Sequence, residues 1–335
     1  MRRLRETTGR IRRRGDGDGR DGAGAPPPWP DDDQEDALLE DDPTADDDLP
    51  GDDDDADDPP PVRRLRAPRV PRDLVSRLVV AVPGIAVAVA VVAWGGAAFA
   101  AALCLLVVLA LYEFYSLTAA ARPLRWAGYV GALLPVVLAF TMTSPERGVL
   151  LGLAIGAGLV AVAGLVIAGG EDLVGRMAVT ALGMVYVGLP FGMLMATREL
   201  PVGAAAVANV LVGTWVFDTA SYAGGRMWGR RRVAPRVSPG KTWEGLVCGL
   251  VVGTLSVGIA GLYMDWISGR ESLLLGAAIC VAAFVGDLFE SLIKRDVGAK
   301  DSGRLLLGHG GVLDRFDALM FATVAAYFVT IALVY

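Results

Sequence analysis

The sequence predicts an all-α fold, a polytopic transmembrane helical bundle of about nine spans behind a disordered acidic N-terminal tail. Two observations carry that prediction. From about residue 78 onward, long apolar stretches alternate with short polar breaks, and roughly 20 apolar residues let an α-helix cross about 30 Å of hydrocarbon. Ahead of that point the composition is of the opposite kind. Residues 1–72 hold 13 Arg and 21 Asp and Glu, a net charge of −8, whereas the rest of the chain carries 18 basic and 16 acidic groups, a net of +2. The formal −6 of the 335-residue chain therefore belongs to the tail.

Within the tail, residues 31–58 carry 17 acidic groups and no basic one. Such a segment buries too little apolar surface to offset the entropy of ordering it, so residues 1–72 are predicted to be a disordered, solvated spacer ahead of a transmembrane domain at 73–335. Arg2, Arg3, Arg5 and Arg12 to Arg14 open the chain with no apolar stretch close behind, so no cleavable signal is expected.

Nine candidate spans follow, at 78–94, 97–118, 124–142, 148–168, 174–196, 203–224, 242–264, 273–293 and 316–335. Backbone polar groups in lipid must pair internally, which leaves a helical bundle as the fold for this composition. The spans are rich in Ala, Val, Leu and Gly, as close helix packing in lipid requires, and Gly-rich faces suit a homodimer as well as contacts within one bundle. Pro83 and Gly95-Gly96 interrupt the first two spans. Cys104, Cys248 and Cys280 sit in apolar runs without metal-ligand spacing, so packing roles and no disulfide are expected.

Positive charge orients the bundle. Arg63, Arg64, Arg66, Arg69, Arg72 and Arg77 precede the first span, which predicts a cytoplasmic N-terminus. Six crossings later come Arg226, Arg230, Arg231, Arg232, Arg236 and Lys241, and two more bring the Lys294–Arg315 region to the same side. One last span leaves the C-terminus outside. A multi-pass protein of the cell membrane is expected, with its polar junctions facing the cytoplasm.

Those junctions hold the chain's three lysines, Lys241, Lys294 and Lys300, and its only histidine, His309. The concentration points to an enzyme of anionic substrates. Asp287, Ser291 and Lys294 are spaced i, i+4, i+7 and share a helix face, with Glu290 beside them. A carboxylate after the apolar run 281–286 is costly in lipid and marks a functional candidate, with a structural Asp–Lys pair as the alternative. Gly308-His309-Gly310-Gly311 permits close backbone approach to a ligand. Asp314 and Asp317 stand where a helix N-terminus favours negative charge, and Asp317 is the expected cap. Ser238-Pro239 reads as a helix start whose free N–H groups, with Lys241 and the upstream arginines, form a phosphate site. The string Gly240-Lys241-Thr242 is not a P-loop, because Pro235 replaces the required glycine and no strand is expected before it. Asp218 and Tyr222, i and i+4 with Ser221 close by, fit either headgroup binding or helix–helix hydrogen bonding. Glu113 is the main intramembrane charge of the first five spans.

On these residues the chain resembles the integral-membrane phosphatidate cytidylyltransferases (CDP-diacylglycerol synthases). The family signature is met by Ser291, Lys294, Arg295, Lys300, Asp301, Gly303, His309, Gly310, Gly311, Asp314, Arg315 and Asp317. Upstream, Asp218, Tyr222, Gly225-Arg226, Ser238-Pro239 and Lys241 to Gly245 also resemble family segments. The resemblance is strong over 205–330. Leu307 stands where a proline is usual, Gly240 where a second lysine is common, and Ala220-Ser221 replace a typical Gly-Ala.

The resemblance implies that 73–335 is a catalytic domain making CDP-diacylglycerol and pyrophosphate from CTP and phosphatidate, in phospholipid biosynthesis at the cytoplasmic membrane face. It implies Asp287 and Asp314 as ligands of Mg²⁺, with a monovalent ion such as K⁺ as a candidate second cation. Lys241, Lys294, Lys300 and Arg315 become phosphate contacts, supported by Ser238, Thr242 and Ser291. Asp218 and Tyr222 become contacts for substrate or cytosine. His309 joins the catalytic set with its role open between acid/base, phosphate donor and structural hydrogen bonder. Membrane lipid is the expected environment, and no nucleic-acid partner is expected. Two other readings stay open: a CTP-dependent lipid or polyprenol kinase, which would release CDP, and an ion-coupled transporter with midplane carboxylates.

Overall fold

The computed structural model describes residues 84–167, 172–303 and 311–334. The acidic tail, the start of the first candidate span and His309 lie outside the described residues. All that is described falls within one compact unit, Asp57–Tyr335.

Each candidate span corresponds to a helix. In chain order these are α1 (Gly84–Trp94), α2 (Gly96–Leu117), α3 (Arg125–Thr141), α4 (Pro145–Val166), α5 (Leu173–Arg198), α6 (Gly203–Trp228), α7 (Trp243–Gly261), α8 (Gly269–Asp296) and α9 (Leu313–Val334). Seven of them, α2 and α4 to α9, are long and apolar enough to cross a membrane. The 17 residues of α3 rise only about 25 Å at 1.5 Å per residue, and Pro135 lies inside it.

Local chemistry sets several boundaries. Pro145 opens α4 at a first-turn position, where its missing N–H has no partner to lose. A reciprocal capping box starts α8: Glu271 accepts from the Ser268 N–H at 2.9 Å, and the Ser268 hydroxyl accepts from the Glu271 N–H at 3.3 Å. In α5 a π-helical turn, Met184–Gly188, lies just before Pro190, which has no N–H to offer the Tyr186 carbonyl.

The helices pack around two main apolar clusters. One gathers α2, α3 and α5, with Val149 of α4, Ile293 of α8 and Leu313, Met320 and Tyr327 of α9. The other gathers Val210 and Phe217 of α6, Leu246 and Val257 of α7, Leu275, Ile279 and Ala283 of α8, and Ala318, Leu319, Ala322 and Ala326 of α9. Helix α9 thus presents one face to each cluster.

Close approach of α6 and α7 depends on glycine. A Cβ at Gly245 would lie 2.6 Å from the Ser221 carbonyl oxygen, and one at Gly249 would lie 2.9 Å from that of Phe217. These are backbone atoms, which cannot swing aside. Gly249→Leu is therefore expected to cost about 1–3 kcal/mol by overpacking, read as a lowered thermal unfolding midpoint in detergent. An unchanged midpoint would show that the two helices have room to separate.

Between α6 and α7 the chain departs from the all-helical expectation. Arg232–Ala234 (β1) and Ser238–Thr242 (β2) form an antiparallel hairpin, with Arg232 opposite Thr242 and Ala234 opposite Ser238. The helix start expected at Ser238-Pro239 is corrected accordingly. Strand pairing occupies that stretch, so α7 begins at Trp243, and Thr242 caps it by accepting from the Gly245 N–H at 3.2 Å. Gly240-Lys241-Thr242 lies in a strand rather than in the first turn of a helix, and β1 precedes it where no strand was expected. The missing glycine at Pro235 still separates it from a P-loop.

Candidate active site

Four segments supply the charged groups, one of them α6, which carries Asp218. The C-terminal half of α8 carries Asp287, Glu290, Ser291 and Lys294. The first turns of α9 carry Asp314 and Asp317. The β-hairpin carries Lys241. Helix α8 ends favourably for cations, with Lys294 and Arg295 in its last turn, and stops where Gly298 takes φ +74°.

Lys294 lies 2.8 Å from the Asp314 carboxylate and 3.4 Å from that of Glu290. Asp314 is further held by the Ser302 N–H at 3.1 Å and the Gly311 N–H at 2.8 Å. A carboxylate that accepts several N–H bonds and an ammonium is fixed in place as an anion. Lys241 forms an ion pair with Asp287 and stands 5.4 Å from the centre of the Phe284 ring. The α8 terminus is also tied to the hairpin, since Arg295 Nε donates to the Val237 carbonyl at 3.4 Å. The hairpin base is held by Glu244, which accepts from the N–H groups of Arg230 and Arg231 at 3.0 and 3.2 Å.

The carboxylates form a group of their own. Asp218 feels the charges of Asp317, Asp287 and Lys241, and Asp317 feels those of Asp287 and Lys294. Glu290 is fully buried beside Asp317, with the Lys294 ammonium 3.4 Å from its carboxylate. The Tyr186 hydroxyl, on the π-helical turn of α5, is buried nearby without a partner.

The site residues expected from sequence divide as follows. Asp287, Asp314, Lys241 and Lys294 meet in two ion pairs, and Asp218 lies beside the first of them. Ser238, Thr242 and Ser291 are half-buried on the hairpin and α8. Lys300 and Arg315 are exposed, one after α8 and the other at the start of α9. Tyr222 is 70% exposed on α6, one turn beyond Asp218. Asp317 does not take the capping role expected of it, since it stands a turn inside α9, and Asp314 accepts from N–H groups that lie before the helix. Helix α9 begins at Leu313, so Asp314 reaches back to the Gly311 N–H while Asp317, a turn deeper, joins the carboxylate group. The importance of Glu290 was missed, although its i, i+4 spacing to Lys294 was a usable signal.

The fit to a divalent cation is one of charge and donor type. Five carboxylates (Asp218, Asp287, Glu290, Asp314, Asp317) face two lysines within this cluster, and hard cations prefer carboxylate oxygens. Among the described residues no three His, Cys, Asp or Glu side chains already form a metal-holding group.

Comparison with known proteins agrees with this chemistry. The model of the cytidylyltransferase family matches residues 75–333. The phosphatidate cytidylyltransferase of Thermotoga maritima is 42% identical over 133 residues, which is 38% of this chain and 49% of that protein. That of Pseudomonas aeruginosa is 42% identical over 128 residues, 38% of this chain and 47% of the other. The uncharacterized protein YnbB of Escherichia coli K12 is 44% identical over 138 residues, 41% of this chain and 46% of that protein. The chain spans about half the length of the curated relatives it matches. Because the family match runs from before α1 to the end of α9 and takes in every charged group of the site, the chain belongs to the cytidylyltransferase family.

Proposed function

We propose that the protein is a phosphatidate cytidylyltransferase working at the cytoplasmic membrane face, converting CTP and phosphatidate to CDP-diacylglycerol and pyrophosphate. The observation that carries this reading is the convergence of Lys241–Asp287 and Lys294–Asp314 from the hairpin, α8 and α9. The arginines around the hairpin (Arg226, Arg230, Arg231, Arg232, Arg236) support the cytoplasmic side through the positive-inside bias.

In the reaction, an oxygen of the phosphatidate phosphate attacks the α-phosphorus of CTP. The bond from that phosphorus to the bridging oxygen breaks, and its electron pair leaves on pyrophosphate. Both partners are anions, so the site must screen charge and align the attack. Lys241 and Lys294, each on a carboxylate leash, present fixed ammonium groups to the phosphates, and Lys300 and Arg315 add exposed positive charge. Ser238, Thr242 and Ser291 offer hydroxyl donors to the phosphates, and Asp218 and Tyr222, one turn apart on α6, are contacts for substrate or cytosine in this reading. Phosphatidate is already ionised, so no general base is required of His309. Mg²⁺, when bound, supplies charge neutralisation and orientation of phosphate oxygens, and Asp287 and Asp314 would hold it, with Asp218 and Asp317 next to Asp287.

Purified protein in detergent, given CTP labelled in its cytosine, phosphatidate and Mg²⁺, is expected to move the label into lipid and release pyrophosphate. Release of CDP with an unlabelled, newly phosphorylated lipid would identify a kinase and sink the proposal.

A further inference from the structure

We infer that Glu113, on α2 and far from the charged cluster in sequence, is a positioning residue that sets the geometry of Asp314 and Lys294. The inference rests on the cytidylyltransferase reading for its kinetic consequence and on geometry for the rest. Glu113 is 1% exposed, and a buried carboxylate is costly unless it is put to use; among the described residues its Oε2 finds donors and its Oε1 does not. Its Oε2 accepts from the Leu313 N–H at 2.7 Å and from the Ser302 hydroxyl at 3.4 Å, partners 200 and 189 residues away. The Leu313 N–H is one of the first-turn donors that a helix cannot satisfy itself. Glu113 therefore caps α9 from another helix.

The chain comes to this carboxylate on glycine at both sides. A Cβ at Gly303 would lie 2.8 Å from Oε1, and one at Gly311 would lie 2.6 Å from Oε2. One side chain thereby gathers the stretch that leaves α8 and the stretch that enters α9. Those same stretches deliver the Ser302 and Gly311 N–H groups to Asp314, which in turn holds Lys294. Glu113 touches neither Asp314 nor Lys294 through any of these bonds. Its effect passes through the backbone, and a misplacement of about 1 Å at a reacting group can cost about 100-fold in rate.

The test uses the full chain in detergent with Glu113→Ala, Glu113→Asp and Glu113→Gln. Two readouts are taken: kcat and KM for CTP in lipid labelling, and residue-resolved amide hydrogen exchange at Ser302, Gly311 and Leu313. Glu113→Ala is expected to lower kcat about 100-fold while KM for CTP moves less than about threefold. Exchange at the three amides should rise by roughly tenfold or more while α6 and α7 stay protected. Glu113→Gln keeps an acceptor oxygen at the right reach and should recover about tenfold of the lost kcat. Should Glu113→Ala not fold, Glu113→Asp, which keeps the charge but shortens the reach, carries the test with smaller changes in the same direction.

Exchange at Ser302, Gly311 and Leu313 that is unchanged in the folded variants overturns the inference. So does a Glu113→Gln that is as inactive as Ala beside a fully active Glu113→Asp, since charge rather than reach would then matter. If the wild-type protein transfers no cytidylyl group, the proposed activity falls, and the exchange measurements still decide whether Glu113 holds the site.

Discussion

Asp314→Asn is expected to lower cytidylyl transfer on the order of 100- to 1,000-fold, the scale of losing one preorganised electrostatic contact in an active site. The substitution is nearly isosteric, but it fails on donor counting. Lys294, Ser302 and Gly311 direct three donors at two carboxylate oxygens. An asparagine has one oxygen, so its NH₂ must face at least one of those donors. Lys294 then keeps only Glu290, and its ammonium swings out of place. Rate measurements on protein shown by thermal unfolding to be folded check this. Turnover within a fewfold of wild type would mean that Asp314 serves neither the metal nor the lysine.

Lys241→Met should produce a comparable loss, about 100-fold or more, for the opposite electrostatic reason. It leaves Asp287 without its cation while Asp218 and Asp317 still press on it. Asp287→Asn alone should be similarly damaging. The double variant Lys241→Met/Asp287→Asn should be far less impaired than the product of the two single losses, because each single change already breaks the pair. Full multiplicativity in a double-mutant cycle would show that the two residues act separately.

Much of this was legible in the sequence, for identifiable reasons. The helices were readable because hydrocarbon demands length and apolarity, and seven of the nine stretches supply both among the described residues. Lys241, Lys294, Asp287 and Asp314 stood out because charge is scarce in the body of the chain. The hairpin was not readable. Ser238-Pro239-Gly240 is poor strand composition, and it becomes a strand through contacts made elsewhere, with Glu244 holding the N–H groups of Arg230 and Arg231. Asp317 looked like a cap because the expected helix start lay near it, whereas α9 begins at Leu313, three residues earlier. Glu113 looked like an isolated charge because its significance lies in burial and in partners distant in the chain, neither of which periodicity encodes.

Helix α9 faces both apolar clusters and begins with Asp314 and Asp317. It also follows every other helix in the order of synthesis. A ribosome feeding this chain into a membrane therefore delivers eight helices before either cluster has its last wall. The two carboxylates arrive with that wall, so until α9 emerges Lys294 has Glu290 beside it but not Asp314.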